Sequence, residues 1–454
     1  MAVAFSDTKA FVTSVRGRVL DRSHPEYDLA RAVYNGMIDR RPELIVRPLD
    51  AGDVARTLAF AHAAGLPIAV RGGGHNVAGH AVCNDGISID LRLMRDVVID
   101  PGARRADAGG GATWNDFDAA CQRFGLATPG GTFGTTGIGG LTLGGGIGHL
   151  SGRFGLSLDN LVAAEVVIAD GTILRASEEE NADLFWALRG GGGNFGAVTR
   201  FVYRLHEVEV VEGGVLVFDA ARAADVLRKL RELVIGLPDE LTFFVVLAHD
   251  RATGAGIVLV SVCWTGSSGD ARARLEELRS LPGLLVDGVE QISYLQLQGV
   301  FGEVPAGVRN YWKGHFVEAL PDELIDLLAD RIARRRSRLG GVLIEPLQGF
   351  LTRVPDERTA FANRHAAFNV TAISAWLTAE NDEEEMHWAR ELSDQVSRFS
   401  VRGGGYVNYM AEDEPLDRVE AAFGREKFAR LREVKRAYDP DNVFRQNQNI
   451  PPAV

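Results

Sequence analysis

The residues able to do chemistry in this chain are few, and most sit beside glycine. The run Arg71-Gly72-Gly73-Gly74-His75-Asn76 leaves the short apolar segment Pro67 to Val70 and carries no bulky side chain before the histidine. Such a loop can bring its backbone close to a ligand, and successive N–H groups in a turn make a concavity for an anion. His75 at its end is either a reactive imidazole facing that ligand or a ring that satisfies hydrogen bonds at the turn. Glu345 follows Val342-Leu343-Ile344, and an acid in so apolar a strand either reaches a cavity, where desolvation raises its pKa, or faces water at an edge. Tyr406 and Asn408 stand two apart in a segment read as extended, so they share a face and Tyr409 points to the other. The tyrosines serve either as proton-transfer groups or as sheet residues whose hydroxyls reach backbone or water.

The elements that must position these groups can be read from periodicity. Asp50 caps a helix with apolar Val54, Leu58 and Ala61 on one stripe, and Gly65 closes it. Strands are predicted at 67–70, 87–93, 165–169, 173–174 and 198–205, with a helix from about 178 to 188. From about 207 the glycine clusters thin out. Strands at 241–247 and 256–264 then alternate with amphipathic helices at 270–281 and 322–335, which reads as an antiparallel sheet with helices on one face. A single charged helix is predicted from beyond Ala421 to Tyr438, and the acidic run 380–385 reads as a solvated helix start.

Composition removes several function classes. Lys plus Arg total 49 against 61 Asp plus Glu, a net charge of −12 that opposes binding to a phosphate backbone, so no nucleic-acid partner is expected. No window has the apolar length to span a bilayer, and Met1 to Leu20 lack a secretory pattern, so neither a membrane association nor an export signal is expected and a cytoplasmic enzyme is the simplest fit. Cys83, Cys121 and Cys263 fit no zinc spacing and read as buried free thiols, with no metal site. At 454 residues the chain exceeds one core, so two domains, or one interrupted by another, are expected. Gly72 to Gly74 lack the spacing of a dinucleotide fingerprint opening a helix, which argues against NAD.

Four segments in order resemble the berberine bridge enzyme-like oxidases of the vanillyl-alcohol-oxidase flavoprotein superfamily. They are Arg71 to Asn76; Thr135 to Gly140 leading to Gly144-Gly145-Gly146; Gly190 to Thr199; and Tyr406-Val407-Asn408-Tyr409 with Asp439 to Phe444. The resemblance implies an α+β fold, with a bipartite FAD-binding domain (1–206 and 411–454) and an inserted substrate domain (207–410) built on an antiparallel sheet covered by helices. It implies FAD contacts from Arg71, Gly72, Gly73, Gly74, His75, Asn76, Gly79, Thr132, Thr136, Gly137, Gly140, Gly145, Gly148, Val198 and Asn447.

The resemblance also implies that His75 bonds covalently to the flavin. Phe133 stands where many relatives carry a second linking cysteine, so a single covalent link is expected. The position of Thr136 gates oxygen in the family, and a small residue there favours an oxidase over a dehydrogenase. Tyr406 is the first candidate for the catalytic base, Glu345 the second, and Asn408 a partner of flavin or substrate. His149 reads as a structural histidine. The implied reaction is oxidation of an alcohol or amine carbon in a small natural-product-like molecule with O2 as acceptor, in a monomer or homodimer. A dehydrogenase or reductase, or an oxygenating flavoenzyme, remains the alternative within the superfamily.

Overall fold

The computed structural model describes residues 5–302, 305, 307–401 and 404–454. Met1 to Ala4 and Gly403, on which the sequence reading touches, lie outside them. Its first layer is a four-stranded sheet in the order β1 (Arg18–Asp21), β2 (Leu44–Arg47), β4 (Ile87–Asp90), β3 (Ile68–Arg71), in which β2, β4 and β3 run parallel. The helix Ala51–Ala64 makes the crossover. Asp50 caps it by accepting from Asp53 N, and Gly65, at φ +65°, ends it in the left-handed conformation that glycine adopts without penalty. The strand expected over 87–93 ends at Asp90 and turns into a single 3-10 turn, Leu91–Leu93.

The second layer is antiparallel in the order β5 (Val97–Asp100), β6 (Arg105–Gly109), β10 (Ala197–Arg204), β8 (Leu161–Val167), β9 (Ile173–Ser177). A two-stranded ribbon of β7 (Leu126–Ala127) and β11 (His206–Glu207) leads away from it.

The third sheet has eight antiparallel strands: β12 (Val210–Asp219), β13 (Leu241–His249), β14 (Gly256–Trp264), β15 (Leu284–Asp287), β16 (Glu290–Ser293), β17 (Arg309–Val317), β18 (Gly340–Pro346) and β19 (Phe368–Trp376). Its long path runs β15-β12-β14-β13-β18-β19-β17, with β16 pairing β12. Alternation sorts its side chains. Phe243, Val245 and Leu247 of β13, with Val258, Val260 and Val262 of β14, join the core under the helices Ala223–Val234, Asp322–Ala333 and Asp382–Ser397. Their neighbours one residue along face the opposite way, onto a cavity.

The C-terminal segment returns to the second sheet. Phe428, Leu431, Val434 and Ile450 share a core with Phe185, Phe195 and Phe201. The single helix expected beyond Ala421 is two, Leu416–Phe423 and Arg425–Tyr438, because Gly424 at φ +75° breaks the path. The acidic run is also less solvated than expected, since Glu385 turns inward to a buried ion pair with Arg335 at 2.8 Å. All three cysteines are buried and unpaired, and among the described residues no helix is long and apolar enough to cross a membrane.

One buried lysine holds the returning tail. Lys435 donates to Asn194 O at 2.7 Å, Phe444 O at 3.0 Å and Asp439 Oδ2 at 2.6 Å, and Asp439 in turn accepts the amides of Val443 and Phe444. Removing one partner of a buried pair strands the other charge, at a cost of about 3–5 kcal/mol. Lys435→Met is therefore expected to lower the unfolding free energy by that order, with a lower denaturation midpoint, and to raise hydrogen exchange over 439–450. An unchanged midpoint would show that the lysine does not anchor the tail.

Candidate active site

The strand β3 delivers Gly72 to His75 to the end of the first sheet, where the loop meets the second glycine run. A Cβ on Gly73 would lie 2.3 Å from Gly137 N, and one on Gly137 would lie 2.2 Å from Gly73 N, so neither position has room for a side chain. These loops, with Gly191 to Asn194 and the tail residues Gln446 to Gln448, form one wall of a cavity of about 1130 Å³. The facing wall is the third sheet. Val215 and Val217, Ile257 and Leu259, Val246 and Ala248, Leu343 and Glu345 reach it from four successive strands at the period of two.

The histidine is held in a defined setting. His75 stacks on Tyr34 with ring centroids 3.8 Å apart, and its Nε2 lies 3.1 Å from Thr135 Oγ1. Desolvation lowers its pKa to about 4, so the ring is neutral at physiological pH. A neutral imidazole has a nitrogen lone pair available for bonding. Tyr34, whose hydroxyl burial raises to about 12, is a site residue that the glycine motifs do not point to.

Across the cavity Glu345 is 2 % exposed, and burial pushes its carboxyl up to about 7. Oε2 accepts from Asn369 Nδ2 at 2.6 Å and Oε1 from the Tyr409 hydroxyl at 3.0 Å. Both Glu345 and Tyr409 line the cavity, and Trp312 packs edge-on against Tyr409. A carboxyl that changes charge near neutrality, hydrogen-bonded to a phenol on the same wall, can accept and pass on a proton.

Most of the residues assigned to a cofactor meet here. Gly72, Gly73, Gly74, His75, Asn76, Thr132, Thr136, Gly137, Gly140, Val198 and Asn447 line the cavity, as does Phe133. Four do not. Arg71 is buried behind its loop, donating to Ala30 O at 2.7 Å. Gly79 faces Ile38, Gly145 faces Tyr406 and Phe361, and Gly148 packs on Gly130 O, so all three serve close packing behind the wall.

Among the catalytic candidates, Tyr406 lies off the cavity wall. Its hydroxyl is turned inward and accepts from Gly146 N at 2.7 Å and Asn408 Nδ2 at 2.8 Å, and its side chain does not reach the cavity. The segment is not extended: Val407–Tyr409 form a 3-10 turn, which brings Tyr409, not Tyr406, to the cavity. Asn408 does line the cavity, while its Nδ2 also donates to Leu141 O. His149 is structural, fully buried between Ser261 Oγ at 2.8 Å and Gln298 Oε1 at 3.2 Å.

The glycine wall fits a flavin nucleotide. A Cβ on Gly140 or Gly193 would meet nothing within 4 Å beyond its own stretch of chain, so both face open cavity. Asn447 Oδ1 and both ring nitrogens of His80 are buried on this wall without a hydrogen-bond partner among the described residues. The volume lies just above the usual range of roughly 300–1,000 Å³ for a ligand pocket, room for a dinucleotide and a substrate together.

Residues 42–177 match the family model described as an FAD binding domain, and residues 405–451 match the model described as berberine and berberine like. The chain is 33% identical to (R)-6-hydroxynicotine oxidase of Paenarthrobacter nicotinovorans over 97% of both chains. The crystal structure of 6-hydroxy-D-nicotine oxidase from Arthrobacter nicotinovorans superposes with a TM-score of 0.89 at 30% identity, covering 100% of each chain. The berberine bridge enzyme-like protein 1 of Physcomitrella patens shares the fold, with a TM-score of 0.89 at 24% identity, over 98% of this chain and 99% of that one. Fold and site together define an FAD-linked oxidoreductase. The chain belongs to the berberine bridge enzyme-like family of the vanillyl-alcohol-oxidase superfamily.

The raised carboxyl makes a prediction about stability. A carboxyl whose folded pKa is above its unfolded value favours the fold below about 4.5 and loses that contribution as pH rises through about 7. Relative to Glu345→Gln, the wild type is expected to lose roughly 3 kcal/mol over that window, read as diverging melting temperatures. Parallel melting curves across the range would mean that the acid is not desolvated.

Proposed function

We propose that the chain is an oxidase of an alcohol or amine carbon in a small natural-product-like molecule, with FAD attached through His75 and O2 as the final acceptor, giving H2O2. In this reading residues 1–206 and 411–454 hold the cofactor and 207–410 shape the substrate site. The observation that carries it is the meeting of a neutral His75 and the Glu345–Tyr409 pair on opposite walls of one cavity. Bound FAD supplies the hydride acceptor, and the protein's part is to orient the donor carbon and move its proton.

Tyr409 and Glu345 are the proton-moving groups. The substrate hydroxyl or amine gives its proton to the pair, with the carboxylate as the final holder and the phenol as the contact. Thr136 on the glycine wall is small enough to leave oxygen a path. Phe133 offers no thiol, so the histidine is the single attachment point. The same relatives support the substrate scale, since the two nicotine oxidases are named for a compact ring compound.

Activity should rise with pH through about 7, because only the ionised carboxylate accepts a proton. Screening alcohols and amines for peroxide release identifies a substrate. With it, Glu345→Gln is expected to lower kcat by about 10²- to 10⁴-fold and to abolish the acid limb of the profile, and Tyr409→Phe to lower kcat as well. Flavin reduction without peroxide in air would replace the oxidase with a dehydrogenase. An unaltered pH limb in Glu345→Gln would remove the acid from the reaction.

A further inference from the structure

The end of the cavity framed by the third sheet carries charge that the reaction does not use. The hairpin joining β13 to β14 places Arg251 on the cavity, and the turn leading into β18 places Arg338 there. Arg338 lies over the same hairpin: a Cβ on Gly254 would come within 2.9 Å of its guanidinium carbon. Both side chains belong to exposed residues, and neither makes a hydrogen bond or ion pair with any described residue. Asp250 is the acid beside them. Its Oδ1 accepts from both the amide and the hydroxyl of Thr253 at 2.7 Å, which fixes it within the turn. Among the described residues the mouth therefore holds two guanidinium groups against one carboxylate, in a chain whose net charge of −12 disfavours anions elsewhere.

Between this mouth and Glu345 the sheet face is apolar, through Ala248, Val246, Ile257, Leu259, Leu343 and Ile373. An occupant that satisfies the whole face has an apolar body and one anionic end. A guanidinium offers paired N–H donors in the geometry of a carboxylate, and an apolar wall keeps the body out of water. We propose that the substrate is an elongated, largely apolar molecule bearing one carboxylate, long enough to follow the roughly 17 Å of strand between the mouth and Glu345, and that Arg251 and Arg338 hold that carboxylate at the cavity mouth. The proposal rests on the reading of this cavity as the oxidase's substrate site and narrows it to a monoanionic class. It places the anionic end at the mouth and the oxidisable carbon at Glu345 and Tyr409.

Calorimetric titration of the flavin-loaded protein with 2-naphthoate and with neutral 2-naphthamide tests this without requiring turnover. The wild type is expected to bind the carboxylate at least about fivefold more tightly than the amide, and rising salt should erode the difference. In Arg251→Gln/Arg338→Gln the preference should vanish while the amide binds within about twofold of wild type, which also shows that the variant is folded. Equal binding, preference for the amide or no binding of either ligand by the wild type overturns the proposal. So does a preference that survives in the double variant, or a variant that loses both ligands. Absence of peroxide with every alcohol and amine would instead count against the oxidase reading, and leaves the binding comparison standing on its own.

Discussion

Two backbones in contact set the geometry of this protein. Gly73 and Gly137 approach so closely that either Cβ would overlap the other's amide nitrogen, at 2.3 and 2.2 Å. One loop comes off the parallel sheet, and the other lies among the elements packed on the antiparallel sheet, so their contact joins the two layers along a strip of bare main chain. Gly140 and Gly193 extend that strip into open cavity. A side chain at the contact would separate the layers and fill the space a nucleotide needs. The tail closes the same region from behind, with Asn194 Oδ1 accepting from Ile450 N at 2.9 Å and Lys435 donating to Asn194 O.

Opposite the glycine strip, the third sheet divides its faces by alternation alone. One face is consumed by helices, and the other is left half-buried on the cavity. On that apolar face Glu345 is tolerated because Asn369 and Tyr409 each supply a donor, and the incomplete compensation leaves its pKa near neutrality. The same desolvation that makes the acid costly to the fold makes it useful to a proton transfer at physiological pH. His75, on the other wall, is held neutral by the same physical effect.

What was legible in the sequence was local. The glycine clusters announced the loops, the cap at Asp50 and the turn at Gly65 bounded their helix, and Glu345 after the run Val342 to Ile344 was readable as a cavity acid or an edge acid. What was not legible depended on a backbone turn or a distant partner. The spacing of Tyr406 and Asn408 implied a shared face only if the chain was extended; the 3-10 turn at Val407–Tyr409 brings Tyr409, and not Tyr406, onto the cavity. Gly145 and Gly148 share the motif of the lining glycines, yet they are glycine because Tyr406 and Gly130 press against them. Tyr34 stacks on His75 from a segment with no motif, and Arg335 draws Glu385 inward from across the sheet's helices.

In the proposed function, His75 carries the flavin beside the glycine strip. Acid denaturation followed by intact mass and absorbance tests it most directly, on wild type and His75→Ala. The account predicts a wild-type chain that stays yellow and is heavier by one FAD, and a variant whose flavin separates completely, with no second attachment at Phe133. Flavin that leaves the wild-type chain, or that stays bound to the His75→Ala chain after denaturation, would contradict it.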